Sequence, residues 1–146
     1  MNYDNIEILF AEDSIDDAVL TIRALEKSGF TNKLHHVKDG AEALDFLYCK
    51  GMYVKRNFNE KPKLILVDLK MPKVSGIQVL DRLKSDPDFK SIPVVILTSS
   101  QEDPDIAKCY SLGANSYIVK PLDSNKFFNS IKEIGLYWMI LNQPPH

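Results

Sequence analysis

The sequence predicts an α/β domain in which five parallel strands form one sheet, in the order 2-1-3-4-5, with helices on both faces. Two observations support this fold class. Short, nearly continuous apolar segments recur along the chain, and helical stretches with apolar residues three or four positions apart separate them. Strands that alternate with helices over short connections are typical of a parallel, doubly wound sheet with right-handed crossovers.

The apolar segments place the strands, because a strand covered by helices on both faces has no polar side. The predicted strands are residues 6–11, 33–37, 64–67, 93–97 and 116–119. The predicted helices begin at residues 15, 41, 77, 104 and 123, and the last extends to residue 141. Gly29 and Gly113 are predicted to end the first and fourth helices. Pro104 suits the first turn of the fourth, with Asp103 as its cap. Residues 48–62 are predicted to be irregular.

Length and composition indicate one globular domain, which we expect to span residues 5–142. The chain has 146 residues, of which 45% are hydrophobic and 26% are charged. A chain of this length buries a sufficient core without covalent staples. Cys49 and Cys109 are too few for a disulfide framework and lack metal-ligand spacing, so we interpret them as free thiols in a reducing compartment.

Charge and hydropathy argue against two classes of partner. Lys and Arg number 18 against 20 for Asp and Glu, which lacks the basic excess of a nucleic-acid-binding domain. No apolar run approaches the roughly 20 residues of a membrane span. The polar start of the chain has no basic region or apolar core of an export signal. We therefore expect a cytoplasmic protein that binds neither nucleic acid nor membrane.

Three carboxylates follow or end predicted strands at the same edge of the sheet. Glu12 and Asp13 follow the first strand, and Asp68 ends the third. In a 2-1-3-4-5 sheet these two strands are neighbours at the switch point, where such folds bind ligands. Carboxylates held together repel one another and favour a hard cation such as Mg²⁺. The alternative is that Glu12 and Asp13 only place negative charge at a helix N-terminus.

Two further polar side chains end the fourth and fifth strands. Thr98 supplies a hydroxyl and Lys120 an ammonium group, and each can bind an oxygen of a phosphoryl group beside a metal. Lys120 could alternatively only neutralise the acids. Pro121 follows it, which restricts the backbone and makes this bond a candidate for the cis form.

Together these motifs resemble the receiver domain of two-component response regulators, the CheY-like, flavodoxin-like fold. The resemblance covers essentially the whole chain and lies in residues at the expected strand ends. These are Glu12-Asp13, Asp68 with Met71-Pro72 and Gly76, Thr98, and Tyr117 with Lys120-Pro121.

The resemblance implies a phospho-accepting switch in a phosphorelay, not a metabolic enzyme. Asp68 would accept a phosphoryl group from a histidine kinase, which adds charge and acceptor oxygens to one surface. Mg²⁺ or Mn²⁺ would be bound by Glu12, Asp13, Asp68 and the backbone carbonyl of Lys70. Thr98 and Lys120 would hold the phosphoryl oxygens, and Tyr117 would be the switch aromatic. An ordinary strand aromatic is the alternative for Tyr117.

Three other functions fit the residues less well. A dehalogenase-type phosphotransferase needs an acid two positions after its nucleophile, where this chain has Lys70. A flavodoxin binds flavin phosphate with a hydroxyl- and glycine-rich first loop, which the acids after the first strand would oppose. A degenerate receiver that serves only as a scaffold would lack some of the five signature positions.

Secondary motifs resemble single-domain regulators of phytochrome-type histidine kinases. They are Ala11-Glu12-Asp13-Ser14, Lys84-Ser85-Asp86-Pro87 and Tyr137-Trp138. Members of that group look like homodimers, so we expect a homodimer. Its candidate interface consists of Tyr137, Trp138, Ile140 and Leu141. Because the last helix runs almost to residue 146, we expect no effector domain and an output through an unidentified protein partner.

Two more predictions concern phosphoryl lifetime and the irregular segment. In the family, the positions of Lys70 and Ser100 tune dephosphorylation. Neither side chain orients water well, so we expect slow autodephosphorylation. Residues 48–63 carry basic and aromatic side chains, which we interpret as a solvated loop rather than a nucleic-acid site. His35 and His36 are expected to have surface or edge roles on the second strand.

Overall fold

A five-stranded parallel sheet forms the centre of the molecule, in the order β2-β1-β3-β4-β5 that the sequence predicts. The structure is a computed structural model that describes residues 3–27, 33–99, 104–121, 123, 125–127 and 129. The strands are β1 (Ile8–Ala11), β2 (Leu34–Val37), β3 (Leu64–Asp68), β4 (Val94–Thr98) and β5 (Ser116–Val119).

Helices follow the strands as predicted and cover both faces of the sheet. They are α1 (Ile15–Lys27), α2 (Gly40–Leu47), α3 (Gly76–Lys84) and α4 (Asp105–Leu112), with a short 3₁₀ helix at Gly51–Tyr53. Residues 125–127 and 129 are helical, and Asp123 lies just before them with its carbonyl accepting from the Phe127 N–H. The other residues of the predicted last helix lie outside the described residues. Among the residues that the structure describes, no helix is long and apolar enough to cross a bilayer.

The central strands are buried on both faces because alternate residues pack into two separate apolar clusters. Leu9, Ile65 and Ile96 belong to one cluster, together with residues of α2 and α3. Phe10 and Leu66 belong to the other, together with residues of α1. All the β1, β3 and β4 residues are buried, which explains why these segments read as continuous apolar runs.

Most element boundaries differ from the prediction by one or two residues, for local reasons. The first strand begins at Ile8 instead of residue 6. Just before it, the Glu7 carbonyl accepts hydrogen bonds from the backbone N–H groups of Lys63 and Leu64, which lead into β3. Pro104 occupies the cap position of α4, one residue before the predicted first turn, and Asp103 lies outside the described residues. Gly113 ends α4 with φ 109°, a left-handed conformation that glycine tolerates.

Most positions of the 48–63 segment are exposed, as predicted for a solvated loop, but its aromatic residues and some basic ones pack against the domain. Tyr53 is only 1% exposed, and Arg56 lies over the Phe46 ring and donates to the Phe46 carbonyl. Lys61 Nζ lies 4.1 Å from the centroid of the Phe58 ring. The remaining positions, including Met52 at 72%, are mostly exposed. The aromatic and basic residues here pack against the domain, which a pattern of composition does not reveal.

The two histidines of β2 are half-buried and both have partners. His35 stacks on Phe46 with ring centroids 5.0 Å apart, and its Nε2 lies 2.9 Å from the Tyr53 hydroxyl. Tyr3 also packs edge-on against both His35 and Tyr53. We call Tyr3, His35, Phe46 and Tyr53 the aromatic cluster.

Candidate metal centre

The carboxyl ends of β1 and β3 bring three carboxylates together. Ala11 pairs with Val67 in the sheet, so Glu12 and Asp68, one residue further on, are neighbours across the strands. One oxygen from each of Glu12, Asp13 and Asp68 lies within 4.8 Å of the other two. Glu12 and Asp68 are buried, whereas Asp13 is exposed. A cluster of oxygen ligands open on one side suits a hard divalent cation that keeps several waters.

Burial makes the ionised forms of Glu12 and Asp68 unfavourable. Loss of solvent raises the pKa of Glu12 to about 7, with a further rise from the charge of Asp68 and an opposing effect from Lys120. Burial also raises the pKa of Asp68, again opposed by Lys120. A cation bound among the three carboxylates would favour their ionised forms.

Lys120 lies at the centre of a set of carboxylates. Its Nζ is 3.2 Å from Glu12 Oε1, 3.3 Å from Asp68 Oδ1 and 3.0 Å from Asp17 Oδ2. Burial lowers the pKa of this ammonium, but the hydrogen bond to Asp17 and the charges of Asp68 and Glu12 outweigh burial and raise it. Lys120 is therefore a permanent cation in this site. We call Glu12, Asp13, Asp17, Asp68 and Lys120 the carboxylate edge.

The backbone fixes the position of Lys120 against β4. Its N–H donates to the Thr98 carbonyl at 2.7 Å, and the Lys120–Pro121 peptide bond is cis. Thr98 is 1% exposed at the end of β4. A small cavity of about 120 Å³ opens here, lined by Asp68, Leu69, Lys70, Thr98, Ser99 and Lys120. An acid, a hydroxyl and an ammonium thus face one polar cavity.

Two glycines fix the loop between β3 and α3 by close approach. A Cβ atom on Gly76 would lie 2.4 Å from the Asp68 carbonyl oxygen, and one on Gly40 would lie 2.0 Å from the Val74 carbonyl oxygen. The loop therefore packs against the start of α2 as well as against β3. Ser75 caps α3 with a reciprocal capping box to Gln78. This loop carries Lys70, whose carbonyl is the predicted fourth metal ligand.

Tyr117 lies on β5 with its side chain half-buried. It packs against the cluster that covers the α2 and α3 face, and its ring meets that of Tyr110 edge-on, with centroids 5.8 Å apart. It is therefore placed between the sheet edge and α4. Ser100 and the candidate interface residues Tyr137, Trp138, Ile140 and Leu141 lie outside the described residues.

Two contacts of the site do not follow from the sequence motifs. Asp17 binds Lys120, and His36 Nε2 lies 2.8 Å from the backbone carbonyl oxygen of Glu12. Helical spacing offers a signal for Asp17, because it is four residues before Thr21, a buried residue of α1. The His36 contact depends on the parallel register that places His36 opposite Phe10.

The family of response regulator receiver domains matches residues 8–132 of this chain. The probable methanogenesis regulatory protein FilR2 of Methanothrix harundinacea is 38% identical over 138 residues, which are 94% of this chain and 86% of FilR2. Response regulator Rcp1 of Synechocystis sp. is 36% identical over 132 residues, which are 90% of this chain and 88% of Rcp1.

Solved structures of similar proteins share the fold. The bacteriophytochrome response regulator RtBRR superposes with a TM-score of 0.85 at 46% identity, covering 95% of this chain and 83% of that one. The Mn²⁺-bound form of Rcp1 gives 0.73 at 35% identity, covering 95% and 98%. The phosphorylated cyanobacterial phytochrome response regulator RcpA gives 0.74 at 37% identity, covering 92% and 94%. The chain thus belongs to the response regulator receiver domains of two-component systems.

Proposed function

We propose that the chain is a response regulator receiver in which Asp68 accepts a phosphoryl group from a sensor histidine kinase. The observation that carries this proposal is the position of Asp68. It lies in the acidic cluster with Glu12 and Asp13, 3.3 Å from Lys120 Nζ, and it lines the polar cavity. A carboxylate beside an ammonium group and an open cavity is suited to attack an electrophilic phosphorus.

The transfer itself exchanges one bond to phosphorus for another. An oxygen of ionised Asp68 forms a new P–O bond while the P–N bond to the kinase histidine breaks, and the bonding electron pair returns to the imidazole nitrogen. Lys120 favours the ionised carboxylate, since its charge opposes the effect of burial on the pKa of Asp68. The product is an acyl phosphate in the cavity that Thr98 and Lys120 line.

Glu12, Asp13, Asp68 and the Lys70 carbonyl would hold Mg²⁺ or Mn²⁺. Their oxygen donors fit a hard cation, and the raised pKa of Glu12 reflects a buried negative charge that a cation would stabilise. When bound, the ion supplies positive charge beside the phosphoryl oxygens. The Mn²⁺-bound form of Rcp1 supports this assignment.

The switch acts through the groups around the cavity. Lys120 and the Thr98 hydroxyl bind the phosphoryl oxygens, and movement of Thr98 leaves space that Tyr117 fills from its position beside α4. The surface that changes is then the α4 and β5 side of the domain. A protein partner, as yet unidentified, binds this surface in the cytoplasm.

The chain is proposed to form a homodimer, with an interface made by Tyr137, Trp138, Ile140 and Leu141. Sedimentation of a monomer at high concentration would contradict this.

A phytochrome-type histidine kinase is the proposed phosphoryl donor. RtBRR is a bacteriophytochrome response regulator and RcpA a cyanobacterial phytochrome response regulator, and the similarity to each covers more than nine-tenths of this chain. FilR2 is 38% identical to this chain but is named a probable methanogenesis regulatory protein. A phosphotransfer profile is therefore the decisive measurement. Purified histidine kinases with and without a phytochrome module, each prephosphorylated with labelled ATP, are mixed with the chain. Fastest transfer from a kinase without a phytochrome module would overturn this part of the proposal.

Acetyl phosphate tests Asp68 without a kinase. Incubation with acetyl phosphate and Mg²⁺ is expected to add the mass of one phosphoryl group, and hydroxylamine is expected to remove it. Asp68→Asn should abolish the adduct, whereas Asp81→Asn, an exposed carboxylate on α3, should leave it unchanged. An adduct that persists in Asp68→Asn, or that the wild type never forms, would overturn the proposal.

The phosphoryl group is proposed to be long-lived because neither Lys70 nor Ser100 orients an attacking water well. Lys70→Asn combined with Ser100→Glu should accelerate loss of the adduct after acetyl phosphate is removed. Equal decay in the wild type and the double variant would show that these positions do not set the lifetime.

A further inference from the structure

Asp17 is the carboxylate nearest to Lys120, although it lies outside the three-acid cluster. Its Oδ2 is 3.0 Å from Lys120 Nζ, whereas the contacts to Glu12 and Asp68 are 3.2 and 3.3 Å. The Asp17 side chain is 41% exposed and that of Lys120 is 15% exposed. Asp17 is held in the first turn of α1, where its N–H donates to Ser14 Oγ. The contact therefore joins α1 to the end of β5.

Lys120 has one ammonium group and three carboxylate partners, and two of these carboxylates can also bind a metal ion. Glu12 and Asp68 belong to the acidic cluster that suits a divalent cation, but Asp17 does not. A cation bound by Glu12 and Asp68 competes with Lys120 for their oxygens and repels the ammonium. Asp17 is the partner that this competition leaves with Lys120.

We propose that Asp17 is a positioning residue that holds the Lys120 ammonium on the α1 side of the cavity while a divalent cation occupies the acidic cluster. This inference rests on the proposed function. Asp17 offsets the charge of Lys120 so that the metal and the ammonium can coexist. On phosphorylation, Lys120 moves from Asp17 toward the phosphoryl oxygens, its stronger charge partner.

The first turn of α1 contains a matched control. Asp16 is adjacent to Asp17 and equally placed to interact with the helix N-terminus, but its side chain is exposed on another face. Asp16→Asn and Asp17→Asn remove the same charge from the same helical turn. A difference between them isolates the contact with Lys120 from general electrostatics.

Titration calorimetry with Mg²⁺ at pH 8 tests the proposal in the metal-free chain. Asp17→Asn should weaken Mg²⁺ binding roughly five- to tenfold, the effect of a charged hydrogen bond reduced for partial exposure. Asp16→Asn should weaken it less than about twofold. Asp17→Glu, which keeps the carboxylate, should restore most of the affinity.

A double-variant cycle makes the test specific to Lys120. In a Lys120→Met background, Asp17→Asn and Asp16→Asn should have equal effects on Mg²⁺ affinity. Equal effects of Asp17→Asn and Asp16→Asn in the wild-type background would overturn the role proposed for Asp17 but not the proposed function. An Asp17→Asn effect that persists without Lys120 would do the same. A wild type that binds no Mg²⁺ would overturn the proposed function as well, so the two failures are distinguishable.

Discussion

The carboxylate edge and the aromatic cluster both bury polar groups, but only the carboxylate edge holds more negative than positive charge. In the aromatic cluster, the Tyr53 hydroxyl donates to Glu42 Oε2 at 2.6 Å and lies 2.9 Å from His35 Nε2. In the carboxylate edge, Glu12 and Asp68 share a single ammonium with Asp17. Burial of surplus charge is unfavourable unless a further partner binds.

The difference separates stability from function. Removal of a group from the aromatic cluster should destabilise the fold and leave Mg²⁺ binding unchanged. Neutralisation of a carboxylate at the carboxylate edge should stabilise the metal-free fold and weaken Mg²⁺ binding. The following variants test this opposition, beginning with the largest expected effect.

Phe46→Ala should cause the largest loss of stability. Phe46 is fully buried, stacks on His35 and lies under the Arg56 guanidinium, 3.8 Å from its ring centroid. Large-to-small changes of a buried aromatic cost about 3–5 kcal/mol, so urea denaturation should show a loss of that size. Met52→Ala, at a side chain 72% exposed in the neighbouring 3₁₀ helix, should cost less than about 0.5 kcal/mol. Weaker Mg²⁺ binding by folded Phe46→Ala would show that the two regions are coupled.

Glu12→Gln should act in the opposite direction and depend on pH. The pKa of Glu12 rises from 4.5 to about 7 because of burial and the charge of Asp68. Between these values the folded chain retains a proton that the unfolded chain releases, so the stability of the metal-free wild type falls as pH rises from 4.5 to 7. Glu12→Gln removes this loss and should be more stable at pH 8, by on the order of 2 kcal/mol.

Thermal unfolding at several pH values, with and without Mg²⁺, measures this effect. The pKa of His35 is lowered by burial, which makes the fold less stable as pH falls below 6.5 and acts in both proteins. The difference between the wild type and Glu12→Gln therefore isolates Glu12. Mg²⁺ should stabilise the wild type at pH 8 and stabilise Glu12→Gln much less. Glu26→Gln, at an exposed position on α1, serves as the charge control. A wild type that gains stability from pH 5 to 7 relative to Glu12→Gln would contradict the raised pKa.

The fold and the position of the principal carboxylates could be predicted because the pattern of apolar residues locates the strands and therefore the strand ends. Continuous apolar runs mark strands buried on two faces, and the strand order then places Glu12 and Asp68 side by side. Asp17 and Asp16 differ only in the helical face that they occupy, and their sequence context looks alike. The packing of residues 48–63 depends on contacts with α2 and β2 that composition does not encode. The features that could not be predicted from the sequence therefore depend on tertiary contacts.

Tyr53→Phe should cause an intermediate loss of stability. The change leaves the ring in place but removes the hydroxyl that joins Glu42 to His35. Unsatisfied buried partners cost about 1–3 kcal/mol, and partial solvent access to Glu42 favours the lower half of that range. Urea denaturation should show this loss, with Mg²⁺ affinity unchanged. Tyr110→Phe, at a ring that is 45% exposed, is the matched control. A neutral Tyr53→Phe would mean that the hydroxyl network contributes nothing beyond ring packing.

Two glycines, one beside each region, give the last pair of effects, with the smallest expected change in Mg²⁺ affinity. Gly40→Ala places a Cβ atom 2.0 Å from the Val74 carbonyl oxygen, so the loop that carries Lys70 must shift. We expect a roughly threefold loss of Mg²⁺ affinity, about 0.6 kcal/mol. We also expect a loss of stability, because the close atoms belong to the backbone and cannot turn away as a side chain would. Gly51 has φ +59° beside the aromatic cluster, so Gly51→Ala should cost about 1 kcal/mol of stability.

The two glycine variants distinguish a loop shift from general destabilisation. Calorimetry and urea denaturation on both variants give a Mg²⁺ affinity and a stability for each. Gly51→Ala, although destabilised, should bind Mg²⁺ as the wild type does, because its backbone strain lies away from the carboxylate edge. If Gly51→Ala also weakened Mg²⁺ binding, metal affinity would follow overall stability, and the separation between the two regions would be wrong. If only Gly40→Ala weakens it, the contact between the start of α2 and residue 74 is part of what shapes the metal site.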